Sequence, residues 1–452
     1  MQFEIGRRRC TPAVAPPRQA RSVRWAFGAW LLACVVALPA AAATDGAAVQ
    51  PVHESTTAAA WQPLQQFLQQ NTGDRGYLGA VSLIADDGGI VDVQVHGHGD
   101  LARTSAMRRD SIFRIYSMTK PITSVAVLQL MEQGKLGLDD PVARYLPEFS
   151  RLQVFVGGTA DAPQLAPVKN ALTIRQLLTH TGGFATGGQG YEEPTRLLER
   201  ARLHASPDLA SFSRTLATLP LATEPGTRFK YDGTGIEVLA RLVEVVSGQP
   251  FDAYVQQHVL KPLKMRDTGF EVPRRERRRI VDLTRMGADG HLQRDDSRSA
   301  QHTGVRLNAY PSGAGGLYST VDDYARFALM LLGEGEYAGV RLLRADTVQQ
   351  MMRNQLQGQL DPPVTEFNAG EGFGLGGSVI IDTAKRGRRG SLGAFGWSGA
   401  ASTYFTIDRQ QKLVAILLLQ HLPNGADNDL PRLATPFYNL VYSTLDAQQA
   451  SP

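Results

Sequence analysis

Ser117 and Lys120 stand three residues apart in "IYSMTKPITSVAVLQLM", where a polar pair runs straight into an apolar segment. A serine hydroxyl is a weak nucleophile until a nearby base takes its proton, and a desolvated lysine amine can be that base. Positions i and i+3 share a helix face, so this spacing brings the amine beside the hydroxyl. Pro121 is tolerated only in a first helical turn, so the helix is expected to begin close to Ser117, with Gly134 as its stop. A helix start also offers free N–H groups and partial positive charge to a developing oxyanion. Alone the pair says little, because S-x-x-K arises by chance roughly once or twice in a chain of this length and composition. Serine as a helix N-cap beside an ordinary lysine explains it equally well.

The elements around the pair have two textures. "GAVSLIADDGGIVDVQVHGHGD" alternates apolar residues on either side of a D-D-G-G turn and reads as a β-hairpin. "STYFTIDRQQKLVAILLLQ" reads as a second hairpin, with helices expected at "TTAAAWQPLQQFLQQNTG" and "ATPFYNLVYSTL". Between them, from about 146 to 305, helical patterns dominate, as in "TIRQLLTH" and "GIEVLARLVEVVSG". The expectation is an α/β (α+β) domain assembled from both chain ends, residues 44–145 and 306–452, with an all-helical domain inserted over 146–305. A cleft between such parts is a common place for a site.

Several long stretches, taken in order, resemble the serine β-lactamase and penicillin-binding-protein superfamily, in particular its class C-type members. "FRIYSMTKPITSVAVLQLMEQGKLGLDDPVARYLPEF" is similar to the nucleophile segment, and "LTIRQLLTHTGGF" with "EPGTRFKYDGTGIEVLARLVEVVSGQPFDAYVQQHVLKPLKMRDTGF" to the tyrosine region. "PSGAGGLYSTVDDYARFALMLL", "GFGLGGSVIID" and "GAFGWSGAASTYFTID" are similar to the final strands. The resemblance covers about 60–445. It implies an antiparallel sheet flanked by helices, with Ser117 as nucleophile, Lys120 as its adjacent amine and Tyr231 as the proton-relaying tyrosine. It also implies an oxyanion hole from the backbone N–H groups of Ser117 and Ala400. Trp397, Ser398 and Gly399 then form the substrate-binding third box, and the resemblance brings no metal or cofactor.

Two positions depart from the superfamily pattern. The usual Tyr-x-Asn is here Tyr231, Asp232, Gly233, and Trp397 stands where lactamases place the cation of K-T-G or H-x-G. A charge-assisted hydrogen bond is worth about 1.5–3 kcal/mol, so its loss disfavours anionic substrates by roughly 10- to 150-fold. An aromatic ring suits an uncharged acyl or alcohol group instead. A W-x-G box is typical of the family VIII carboxylesterases, and both departures point toward small carboxylic esters. The alternatives are a β-lactamase or D,D-peptidase, and an inactive penicillin-recognising protein that keeps the fold for binding. Arg386, Arg388 and Arg389 could supply the missing charge from a neighbouring loop.

Other patterns compete less well. "GFGLGG" at 372–377 satisfies G-x-G-x-x-G but runs into a strand-like "SVIID" rather than a helix, against a dinucleotide site. "THTGG" at 179–183 precedes Tyr231, in the wrong order for a third box, and His180 reads as a helix-end residue bonded to the backbone. His96 and His98 lack a third ligand pattern. "RRERRR" at 274–279 reads as a solvated face.

Residues 1–43 combine a basic, Pro-rich stretch, an apolar run and "PAAAA", the pattern of a secretory signal. An uncleaved anchor, or a lipoprotein box at Cys34, is the lesser reading. The segment holds six Arg and one Glu, so without it the formal charge goes from +4 to −1 and attraction to nucleic acid has no support. Both cysteines, Cys10 and Cys34, lie within it. The expected mature chain is exported, contains no disulfide, acts on a small-molecule ester and has no stable membrane span.

Overall fold

The computed structural model describes residues 59–450 except 75, 186, 188, 189 and 357–367. The expected signal segment lies outside the described residues. In chain order, α1 (Gln62–Gln70) leads into β1 (Gly79–Asp86) and β2 (Gly89–Gly97), and then α2 (Thr119–Glu132). Next come β3 (Gln153–Thr159), β4 (Ala162–Pro167), α3 (Ile174–Leu178), α4 (Glu192–Arg200), α5 (Leu209–Leu216), α6 (Thr234–Ser247) and α7 (Phe251–Val255). β5 (Thr284–Met286), β6 (Leu292–Arg294) and α8 (Val321–Leu332) follow. The chain closes with β7 (Glu371–Phe373), β8 (Ser378–Ile380), β9 (Phe395–Gly399), β10 (Thr403–Asp408), β11 (Leu413–Leu418) and α9 (Ala434–Gln449).

Seven strands form one antiparallel sheet in the order β7-β8-β9-β10-β11-β1-β2. The two predicted hairpins therefore meet: β1 pairs with β11, Val81 opposite Leu418 and Leu83 opposite Ile416. At the β1–β2 turn the Asp86 carboxylate accepts the N–H groups of Gly88 and Gly89, the reason Asp-Asp-Gly-Gly turns the chain here. Strand alternation divides the sheet between two apolar layers. Val81, Leu83, Phe405, Ile407 and Ile416 face the layer of α2, α6 and α8. Ala80, Ile84, Tyr404, Ala415 and Leu417 face α1 and α9 through Trp61, Leu64, Phe437 and Val441.

α2 is buried from Thr119 to Leu130, which accounts for an apolar pattern that covers most of its circumference. It ends as expected, with Gly134 in the left-handed region at φ 69°.

The inserted segment is not all-helical. β3 and β4 form a hairpin there, and its alternation is short, bulged near Gly157 and largely exposed, which hides it among stronger helical patterns. The segment also ends earlier than 305. Thr284 in β5 donates its N–H to Gln420 and accepts that of Leu422, so the β5–β6 hairpin belongs with the end of β11. Contacts gather the described residues into one compact unit. The G-x-G-x-x-G run is the β7–β8 hairpin, and its glycines serve close packing. A Cβ on Gly376 (φ +94°) would lie 2.1 Å from the Ser124 hydroxyl of α2.

Candidate active site

Ser117 is presented by a sharp turn. Tyr116 adopts φ 42°, unusual for a residue with a side chain, and Tyr116–Met118 form a 3₁₀ turn that runs directly into α2. Neighbours pin that turn. Ile115 N–H bonds the Leu317 carbonyl at 3.1 Å, and the Tyr324 hydroxyl of α8 donates to the Met118 carbonyl at 3.0 Å. Ser117 itself is half-buried and open on one side.

Lys120, one turn on, is only 2% exposed. Its Nζ lies 3.1 Å from Ser117 Oγ and donates to the Ala314 carbonyl at 2.9 Å. It also sits 4.8 Å from the centroid of the Tyr231 ring. Ser117, Lys120 and Tyr231, which span 115 positions of sequence, thus converge. The Tyr231 hydroxyl accepts a hydrogen bond from Trp397 Nε1 at 3.2 Å, and the two rings pack at 5.1 Å. Trp397 is therefore more than an apolar wall: it is a neutral donor that orients the tyrosine hydroxyl.

The third-box residues behave unequally because side chains alternate along β9. Trp397 faces α2 and the Tyr231 ring. Ser398, paired with Tyr404, turns its side chain to the α9 face, where it lines a cavity of about 400 Å³ with Arg388 and Tyr438. Ser398 thus turns its side chain away from the Tyr231 ring, while its backbone stays on the open edge of β9 beside Trp397. β8 pairs with β9 at Phe395 and Gly396 and no further, so the edge from Trp397 to Gly399 stays open on that side. A Cβ on Gly399 would lie 2.3 Å from the Ile115 carbonyl oxygen. Glycine there lets β9 press against the Tyr116–Met118 turn, bringing Ala400, exposed just past the strand, beside it.

Asp232 and Gly233 do not replace the amide of the Tyr-x-Asn pattern. Asp232 turns inward, accepting the Gly235 N–H at 2.5 Å and lying 3.3 Å from His180 Nδ1. The lysine contact that such an amide would make is instead the Ala314 carbonyl.

His180 follows the end of α3 and takes the Asp232 N–H at 3.3 Å, as a helix-end residue bonded to the backbone would. It is also fully buried, with its ring 4.6 Å from Tyr231 and 5.1 Å from Phe373. Burial, only partly offset by Asp232, pushes its pKa down, so the imidazole is neutral. Sequence reasoning placed it outside the site because 51 residues separate it from Tyr231 and no spacing links them.

A second residue went unnoticed. Glu237, on α6, is 1% exposed and accepts from the Ser312 hydroxyl and, at 2.9 Å, from Gly313 N–H. Burial first, against opposing hydrogen bonds and Lys120, raises its pKa to about 7.

The arginines that could have replaced the missing cation are engaged elsewhere. Arg386 and Arg388 both bond Glu371, at 2.6 and 3.2 Å, and Arg389 pairs with Asp446 of α9. Among the described residues, no group of three or more His, Cys, Asp or Glu is placed to hold a metal ion, and no helix is long and apolar enough to cross a membrane.

A seven-stranded antiparallel sheet between helical layers, with a Ser-x-x-Lys turn facing a tyrosine from the helical segment, defines the serine β-lactamase and penicillin-binding-protein fold. The beta-lactamase family model matches residues 64–436, and the chain belongs to that family. Protein Rv1367c of Mycobacterium tuberculosis is 36% identical over 361 residues, covering 78% of this chain and 88% of the relative. Esterase EstB of Burkholderia gladioli is 31% identical over 387 residues, covering 81% and 92%. The solved structure of EstCE1, described as a hydrolase with promiscuous acyltransferase activity, superposes with a TM-score of 0.66 at 25% identity, covering 85% of this chain and 98% of that one. The family is one of hydrolases and acyltransferases.

Proposed function

We propose that this protein is an exported serine hydrolase that cleaves small, uncharged carboxylic esters through an acyl-enzyme on Ser117. Ser117 Oγ attacks the ester carbonyl while Lys120 takes its proton. The N–H groups of Ser117 and Ala400 receive the oxyanion, which pre-placed donors stabilise without reorganisation. As the tetrahedral intermediate collapses, the proton reaches the leaving alkoxide by way of the Tyr231 hydroxyl, and the alcohol departs. Water then attacks the acyl carbonyl and gives a proton to the same pair. The second tetrahedral intermediate collapses to the carboxylic acid, and that proton passes to Ser117 Oγ as the acyl–oxygen bond breaks.

The observation that carries this reading is the Lys120 amine 3.1 Å from Ser117 Oγ, under a tyrosine whose hydroxyl is held by Trp397 rather than by a cation. Arg386 and Arg388 are drawn onto Glu371, so their charge is compensated there rather than offered to a substrate carboxylate. That favours esters over β-lactams and D-Ala-terminated peptides. The esterase likeness of 31% over most of the chain agrees with it. The test is a panel of p-nitrophenyl esters beside a chromogenic cephalosporin: the reading expects turnover of short neutral esters and weak cephalosporin hydrolysis. The reverse preference would establish a β-lactamase, and no turnover of either class would favour the binding-protein alternative.

A further inference from the structure

Glu237 has no part in the scheme above, yet it lies at the end of a continuous set of contacts that reaches the reacting serine. Its carboxylate takes the Ser312 hydroxyl and the Gly313 N–H. The same turn is gripped from α2: Thr123 Oγ1 donates to the Gly313 carbonyl at 2.8 Å, and Lys120 Nζ to the Ala314 carbonyl at 2.9 Å. Gly313 is needed because a Cβ there would lie 2.9 Å from the Ala240 Cβ. The turn is thus clamped between two helices, and one of its carbonyls holds the amine against Ser117.

We propose that Glu237 is the positioning residue for Lys120: its carboxylate fixes the 312–314 turn and stabilises the ammonium that forms when Lys120 takes the serine proton. The arrangement parallels the buried carboxylate that orients and compensates an imidazolium in a Ser-His-Asp triad, with a lysine in place of the histidine. The carboxylate acts through the Ser312–Gly313–Ala314 turn and through its field, which is strong in a site with little water. The proton count is unchanged: Ser117 loses a proton, Lys120 gains it, and Glu237 stays ionised throughout. The inference rests on the assignment of Ser117 and Lys120 given under Proposed function.

It makes a demand on pH. Glu237 titrates near neutrality, so the ionised form that serves Lys120 accumulates as pH rises through about 7. The other titratable groups facing this carboxylate are Lys120 from α2 and Tyr310 from the segment before the turn, whose hydroxyl is pushed up by burial and by Glu237 itself. Burial lowers the pKa of His180, which favours its neutral form.

The experiment measures kcat for p-nitrophenyl butyrate from pH 5.5 to 9 in wild type, Glu237→Gln and Ser312→Ala. In parallel, a fluorophosphonate probe reports whether Ser117 is the nucleophile. Wild type is expected to show an acidic limb near pH 7. Glu237→Gln should lose the part of that limb that Glu237 contributes, leaving only what the proton on Lys120 imposes. It should also run on the order of 10- to 100-fold slower on the alkaline plateau, the scale of a removed charge in a low-dielectric site. Ser312→Ala removes a hydrogen bond that lowers the carboxyl pKa, so its limb should move to higher pH with a smaller loss; this variant carries the test if Glu237→Gln does not fold. Unchanged profiles in both variants, with Ser117 still labelled, would overturn the role of Glu237 alone. Failure of the probe to label Ser117 in wild type would instead overturn the assignment on which it rests.

Discussion

Ser117, Lys120 and Tyr231 were legible because a helix fixes the first two geometrically and an ordered set of sequence stretches supplies the third. Their partners were not. Ala314, His180 and Glu237 reach the site through tertiary packing, and no local period connects them to Ser117. The match to a third box also left open which face the Ser398 side chain takes, because strand parity decides that. Two substitutions follow from the geometry. Tyr231→Phe keeps the ring on Lys120 and Trp397 but deletes the hydroxyl proposed to relay the proton, and kcat should fall by about 10²–10⁴-fold, the usual worth of acid–base assistance. A loss below tenfold would make Tyr231 a packing residue. Trp397→Phe removes the donor to that hydroxyl and part of the ring packed on Tyr231, and should cost at least the roughly 3- to 10-fold of one neutral hydrogen bond. Trp397→Lys restores a cation, and kcat/KM on a carboxylate-bearing cephalosporin should rise by no more than about 150-fold while butyrate hydrolysis falls. A butyrate rate that rises as well would show that Trp397 does not set the ester preference.

The hairpins β1–β2 and β10–β11 could be read from alternation and turn residues, and α2 from its start at Ser117 and stop at Gly134. The β3–β4 hairpin could not, since it buries little and Val156 is 60% exposed, so its apolar residues follow no core-facing period. What the sequence hid altogether is the tight contact of β9 with the nucleophile turn. Gly399→Ala would drive a methyl into the Ile115 carbonyl and tilt the Ala400 N–H away from that of Ser117. The predicted result is a kcat loss of about 10²-fold or more, the cost of an oxyanion donor. Pre-steady-state kinetics should show acylation slowed. An intact acylation rate together with a lowered Tm would mean that Gly399 serves packing alone.

Buried titratable groups pull the stability of the whole molecule in opposite directions with pH. Glu237, Asp92 and Asp323 have pKa values raised by burial, to about 7, 6 and 6. Each contributes stability that is full below its unfolded pKa and lost as pH rises through its folded one. The buried His180 and His204, with lowered pKa values, act oppositely: their stability is lost as pH falls below the ordinary histidine value. These contributions oppose one another between pH 5 and 8, so the Glu237 contribution is read by difference. The Tm of Glu237→Gln relative to wild type should rise from pH 5 to pH 8, as wild type alone ionises a buried carboxyl, and differential scanning calorimetry at both pH values checks it. A difference independent of pH would show that Glu237 does not titrate there. The central claim, that this fold holds a working acyl-transferring serine, is tested most directly by trapping the intermediate. Wild type turning over p-nitrophenyl butyrate is quenched in acid, digested and mapped by mass spectrometry. The account predicts a butyryl adduct on the peptide that carries Ser117, at that residue, and none in Ser117→Ala. Turnover that persists in Ser117→Ala, or an adduct on any other side chain, would contradict it.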